Sequence, residues 1–276
     1  MRTKKEMVKA EANLPVAASD YEEHEGRGFQ NQTSADVAIP FINLLQDMSP
    51  EVKRKNEKYI EGAEAGMFLN SVTGDLYESF VFVPAITERW FVEWKPRTEG
   101  GGLVGRHHPD SALVAKAVKA SKEFGKYTTE EGNELAETVY MFGVLSNDNG
   151  DNLGTAMLAL TSTKITPYKK FNGRLSSFQL NITDEDGNLV KRITPPMFAH
   201  TIRVTSKVRP SAKGDAFIPV FEAAVEDDLR KSLIGKSDAR FQLAAQVEQL
   251  VDSGKAKYDE STQSDAVAED EDDLPF

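Results

Sequence analysis

Thr138-Val-Tyr-Met-Phe-Gly-Val-Leu145, Ser146-Asn-Asp-Asn-Gly150, Leu153-Gly-Thr-Ala-Met-Leu-Ala-Leu160: two apolar runs flank a cluster of turn formers. Short apolar runs bounded by Ser, Asn, Asp and Gly read as paired antiparallel strands. Upstream, Val37 to Gln46 is compatible with a first strand, and a basic connection (Lys53, Arg54, Lys55, Lys58) follows it. Met67 to Leu69, Leu76 to Pro84 and Arg89 to Lys95 are rich in aromatic and β-branched residues. Thr73-Gly74-Asp75 marks a hairpin turn between the first two. Pro96 to Pro109, with Gly100-Gly101-Gly102, reads as a loop, and Ser111 to Phe124 as a helix capped by Ser111.

Downstream, Thr166-Pro167 opens a helix whose apolar stripe is Ile165, Tyr168, Phe171, Leu175 and Phe178. Asp186-Gly187-Asn188 turns the chain into strands near Met197 to Val208 and Ala216 to Val225. Ser237 to Val251 is a last helix, stopped by Gly254. Five or more antiparallel strands with one helix between the third and later ones argue against a βαβ layout. No phosphate-loop pattern opens a helix. The expected class is mainly β with helical insertions, an OB-fold-like Greek-key β-barrel. The organisation predicted is a disordered N-terminal arm over 1–36, a core over 37–225, a helical segment over 226–252 and a disordered acidic tail over 253–276.

Charge is distributed unevenly. The net value is -11, but residues 259–276 hold eight acids and no base, while residues 161–214 carry ten Lys or Arg against three acids. A basic zone beside an acidic terminus suits a polyanionic partner. The absence of cysteine excludes disulfides, thiolate nucleophiles and cysteine-bound zinc. No apolar stretch is long enough to span a membrane, and no apolar signal core follows the basic N-terminus.

The chain ends Asp270-Glu271-Asp272-Asp273-Leu274-Pro275-Phe276. An acidic run by itself only solubilises. An apolar tip after five consecutive acids makes a docking peptide, in which Phe276 fills a pocket and the acids steer towards a basic groove. The stretch from Glu269 to Phe276 resembles the C-terminal tail of bacterial and phage single-stranded DNA-binding proteins, with Leu274 where the bacterial tail usually has isoleucine. The resemblance implies a phage-type replication protein that coats single-stranded DNA in the cytoplasm of an infected bacterial host. It also implies that the tail recruits polymerase, helicase-primase or nuclease partners. The body does not look like the bacterial homotetrameric domain, and a homodimer is compatible with it.

Three further stretches offer contacts to nucleic acid. In Arg89-Trp90-Phe91-Val92-Glu93-Trp94-Lys95-Pro96-Arg97, alternation puts Trp90 and Trp94 on one face and Arg89, Phe91 and Lys95 on the other. Either the tryptophans stack on bases or they are core and Phe91 is exposed; a stack is worth about 1–3 kcal/mol per base. Along Thr201 to Arg209, Ile202, Val204 and Val208 alternate with Arg203, Thr205, Lys207 and Arg209, so one face offers cations at a spacing suited to phosphates. Lys191 and Arg192 extend that zone, and Lys169, Lys170 and Arg174 line the helix. His107-His108 with Asp110 lacks a third metal ligand at sensible spacing, and no nucleophile–base pair stands out. The expectation is a non-enzymatic protein without cofactor. Its rivals are a virion-associated structural protein and an enzyme of nucleic-acid metabolism that carries the same kind of tail.

Overall fold

The computed structural model describes residues 39–123, 125–210 and 215–254, together with Arg27 and Ala256. The chain divides into two units, Met1–Val37 and Ala38–Phe276. Every strand and helix among the described residues belongs to the second unit. The expected arm over 1–36, apart from Arg27, and residues 257–276 of the tail lie outside the described residues.

The molecule is mainly β, with all ladders antiparallel and three helices among the described residues. Its centre is a long ladder between β4 (Phe80–Trp94) and β7 (Glu134–Ser146). On the outer side of β4, β11 (Ile202–Arg209) pairs at one end and carries β12 (Ala216–Ala223); β5 (Leu103–His107) pairs at the other. On the outer side of β7 lie β8 (Asn152–Thr161) and β6 (Tyr127–Thr128). The hairpin of β7 and β8 around Asn147–Gly150 is the one legible between Thr138 and Leu160.

β1 (Ile42–Leu44), β2 (Phe68–Asn70) and β3 (Leu76–Tyr77) form a second sheet. The β2–β3 turn is the expected one: Gly74 has φ 76°, a region that favours glycine, and the Asn70 carboxamide accepts from the Val72 and Thr73 N–H groups at 3.0 and 3.1 Å. No sheet closes on itself by strand pairing among the described residues, so the expected barrel is replaced by open sheets. The small sheet covers the open side. Phe41 bridges to Met157 of β8, and on the opposite flank the Gln46 side chain donates to the Phe217 carbonyl at 3.0 Å and accepts its N–H at 2.8 Å.

Two cores result, one on each face of the main sheet. The larger holds Phe68, Phe80, Phe82, Met141, Ile202 and Phe221, and is closed by the stripe Ile165, Tyr168, Phe171 and Leu175 of α2 (Ile165–Ser177). The other holds Val83, Val92, Trp94, Tyr140 and Phe142 under Ala244, Val247 and Val251 of α3 (Ala239–Asp252). A smaller cluster joins Phe91, Tyr127 and Leu135 to Val114 and Ala117 of α1 (Ala112–Ala120), which Ser111 caps by accepting the Val114 N–H at 3.3 Å. The expected strand from Leu76 to Pro84 is divided, Leu76 and Tyr77 forming β3, while its second part from Phe80 runs on without a break through Arg89 to Trp94 as β4. The register shifts between Pro84 and Ile86, where proline has no donor to offer a ladder. The shift reverses which parity faces which core: Phe80 and Phe82 point to the α2 side, whereas Val92 and Trp94 point to the α3 side. Opposite the shift, a Cβ on Gly143 would lie 2.3 Å from the Val83 carbonyl oxygen and 2.6 Å from the Phe82 ring. Only glycine fits there.

The expected loop from Pro96 to Pro109 contains a strand, and so do both flanks of the expected turn at residues 186–188. Gly100, Gly101 and Gly102, with φ of 97°, 65° and 107°, turn the chain into β5, whose Leu103 and Val104 are exposed. The Asp186-Gly187-Asn188 turn belongs to a separate hairpin of β9 (Leu180–Thr183) and β10 (Leu189–Ile193). Neither has the alternation of a half-buried strand.

Candidate nucleic-acid interface

α2 carries cations on its outer face because its inner stripe is fully used by the core. Lys170 and Arg174, one helical turn apart, point the same way. β11 leaves the β4 ladder after Val204 and continues with β12 alone, which carries Lys207 and Arg209 out beyond the sheet centre. Val208, expected on a buried face, is therefore 46% exposed. The two elements meet in an open cleft of about 630 Å³, lined by Lys170, Phe171, Arg174, Lys207, Arg209 and Pro219 among others, with no acidic side chain among the described residues of its walls.

Arg174 donates to the Asp227 carboxylate at 2.6 Å and also to the Asp227 carbonyl. Lys170, Lys207 and Arg209 have no ion-pair partner among the described residues. Nearby, Arg89 pairs with Glu137, and the Lys169 ammonium lies 3.8 Å from the same carboxylate. Tyr168 donates to Thr87 at 3.2 Å, which seats α2 on this face of β4. Arg89, Lys169, Lys170, Arg174, Lys207 and Arg209 are thus on the α2 side together.

The aromatics are not brought to that side. Phe91 and Trp94 are 8% and 7% exposed and belong to cores. Trp90 is half-buried and packs against the α3-side core, across the sheet from α2. Its Nε1 donates to the Glu88 carboxylate at 3.0 Å, the Arg106 guanidinium stands 5.1 Å over its ring, and His108 meets it edge-on at 5.9 Å. Arg106 gives no signal as a site residue in the sequence, because β5 lacks the apolar alternation of a strand. Lys95 is exposed, Arg203 pairs with Asp148 at 2.7 Å, and Lys191 and Arg192 sit on the β9–β10 hairpin. The side chain of Arg97 and the tail residues Asp270, Glu271, Asp272, Asp273, Leu274, Pro275 and Phe276 lie outside what is described.

His107 and His108 diverge. His107 Nε2 is 2.6 Å from buried Glu93, which also accepts from Asn133 at 2.7 Å, while His108 turns outward to Asp110. Among the described residues no group of three or more His, Asp or Glu side chains is placed to hold a metal ion.

The model of one protein family, Pam3 phage gp34-like protein, matches residues 8–257. The chain belongs to that family. It is therefore a phage protein, and the cleft of this gp34-like chain lies wholly within the matched residues. The acidic run from Asp259 lies beyond them. No curated protein and no solved structure matches the chain. Among the described residues of the gp34-like chain, no helix is long and apolar enough to cross a membrane.

Proposed function

We propose that this phage protein binds single-stranded DNA along the cleft between α2 and the β11–β12 hairpin. It coats intermediates of phage replication or recombination and recruits partner proteins through its acidic tail. The observation that carries this reading is the convergence of Lys170, Arg174, Lys207 and Arg209 from two elements onto one open cleft whose described lining holds no acid, Arg174 alone being paired, with Asp227 outside that lining. Cations on both walls match a flexible phosphate chain, which threads between them; a duplex is too wide and stiff for a cleft of this size. Backbone charge dominates in this reading, since the aromatics nearest the cations, Phe171 and Phe221, are buried. Trp90 would serve only a strand that passes round the sheet edge.

The test is a titration of fluorescent oligo-dT and of a duplex of equal length at several salt concentrations. Single strands bind preferentially, and affinity falls steeply with salt, each neutralised phosphate adding about 0.7 to the log–log slope. The Lys207→Ala/Arg209→Ala variant lowers that slope by about 1.4 and weakens all sequences alike. Equal affinity for duplex, or an unchanged slope in the variant, removes the proposal. Metal-dependent loss of the probe would instead mark a nuclease.

A further inference from the structure

β9 and β10 pair with each other and with no other strand among the described residues. All residues from Asn181 to Arg192 are exposed, including Ile182, Leu189 and Val190 at 40%, 51% and 62%. Only Leu180 and Ile193 at the root, which pair with each other, are half-buried. A two-stranded ribbon has little stability by itself in water. Its outer edges also present unpaired backbone donors and acceptors. The turn itself is well made: the Asp184 carboxylate accepts the Asn188 N–H at 2.8 Å, and Gly187 takes φ 83°. The ribbon therefore projects as an ordered arm with apolar side chains and two open edges.

The charges of this arm are segregated along its length. Asp184, Glu185 and Asp186 stand at the tip; Lys191 and Arg192 stand towards the root. Asp184 is engaged in the turn. Glu185, Asp186, Lys191 and Arg192 have no ion-pair partner among the described residues. A polyanion is a poor occupant, because the tip repels it. A second copy of the same arm in antiparallel orientation is a good one, because each acidic tip then lies beside the other's basic root. A twofold interface requires a patch complementary to itself, and this arm is one.

We infer that two copies of this protein associate through their β9–β10 arms, β10 pairing with β10 about a twofold axis near Val190. The result is a four-stranded sheet, formed by strand addition at an open edge. Val190 of each copy meets its equivalent across the axis, and Glu185 and Asp186 approach Lys191 and Arg192 of the other chain. The interface does not use the cleft, and the inference does not depend on what the cleft binds.

The test is sedimentation of the full chain without DNA. The unaltered protein sediments at twice the chain mass at micromolar concentration, and Val190→Asp is monomeric. Lys191→Glu/Arg192→Glu makes the arm wholly acidic and Glu185→Lys/Asp186→Lys makes it predominantly basic; each alone is monomeric. Mixed together they form a heterodimer, which also shows that both are folded. A monomeric unaltered chain, a dimer indifferent to Val190→Asp, or a mixture that stays monomeric overturns the inference. A monomer whose oligo-dT binding weakens with Lys191→Glu/Arg192→Glu also overturns it and assigns the arm to DNA.

Discussion

The Arg174 guanidinium donates to the Asp227 carboxylate at 2.6 Å, and Asp227 sits in the left-handed backbone region at φ 52°, directly after Glu226 at φ 53°. Two successive non-glycine residues in that region are strained, at about 1 kcal/mol or more each. Asp227 helps hold the turn by also accepting the Ala223 N–H at 2.9 Å. Asp227→Ala should lower stability by about 1–2 kcal/mol at neutral pH and leave oligonucleotide affinity unchanged or higher, since Arg174 is freed for phosphate. Partial burial pushes the carboxyl pKa up, but the bonds from Arg174 and Ala223 and the guanidinium charge outweigh it and hold the pKa below the usual range. This contribution is present above the unfolded carboxylate pKa and is lost as pH falls through the lower folded one. Urea unfolding at several pH values, beside oligo-dT titration, checks both halves.

Phe91→Ala and Trp94→Ala should each cost about 3–5 kcal/mol of stability, as truncations in well-packed cores do. Neither should weaken DNA binding once the remaining folded fraction is accounted for. Trp90→Ala should cost less stability, because its ring is half-exposed. If a strand passes round the sheet edge, it alone loses about 1–3 kcal/mol of binding. A binding defect in Phe91→Ala without loss of stability would mean that its ring leaves the core to meet DNA.

His200 is 1% exposed, and neither of its ring nitrogens has a hydrogen-bond partner among the described residues. Burial lowers its pKa to about 4. The unfolded chain therefore takes up a proton near pH 6.5 while the native one does not, so stability is lost as pH falls from about 6.5 towards 4. The expected loss is on the order of 3 kcal/mol by pH 4. His200→Phe, which keeps the edge contact with Phe178, should flatten that part of the profile in urea unfolding. An unchanged acid slope would show that other groups cause it.

Removal of residues 259–276 deletes eight acids and no base, and takes the formal charge from -11 to -3. The shortened chain should bind oligo-dT more tightly than the full chain, by a margin that shrinks as salt is raised. Deletion of Leu274, Pro275 and Phe276 alone should leave DNA affinity nearly unchanged and abolish partner docking. Weaker DNA binding by the long truncation would show that the acids do not compete for the cleft.

The elements that bury an alternating or helical stripe were legible in the sequence. The β7–β8 hairpin, the Ser111 cap and the Ile165–Phe178 stripe all show their burial in their spacing. β9 and β10 were not legible, because a strand exposed on both faces has no periodicity, and β5 was not legible because its half-buried face carries Gly105 and His107 instead of an apolar alternation. The unity of β4 was hidden by Pro84, which normally argues against a central strand and here coincides with a register shift. The cations of α2 and β11 were visible as residue types, but their meeting in one cleft depends on how far β11 runs past β4. The burial of Phe91 beside that of Trp94 follows from cores on both faces, where a single-faced sheet would have exposed one of them.

The register shift at Pro84 has a consequence for how this protein comes apart. β4 is one uninterrupted strand that gives Phe80 and Phe82 to the α2-side core and Val83, Ala85, Val92 and Trp94 to the α3-side core. Loss of either core would strip the shared strand of buried side chains on one face, so neither core can melt and leave the other native. Heating should give a single transition in which calorimetric and van't Hoff enthalpies agree. Amide protons at both ends of the β4–β7 ladder should exchange with deuterium at one common, slow rate.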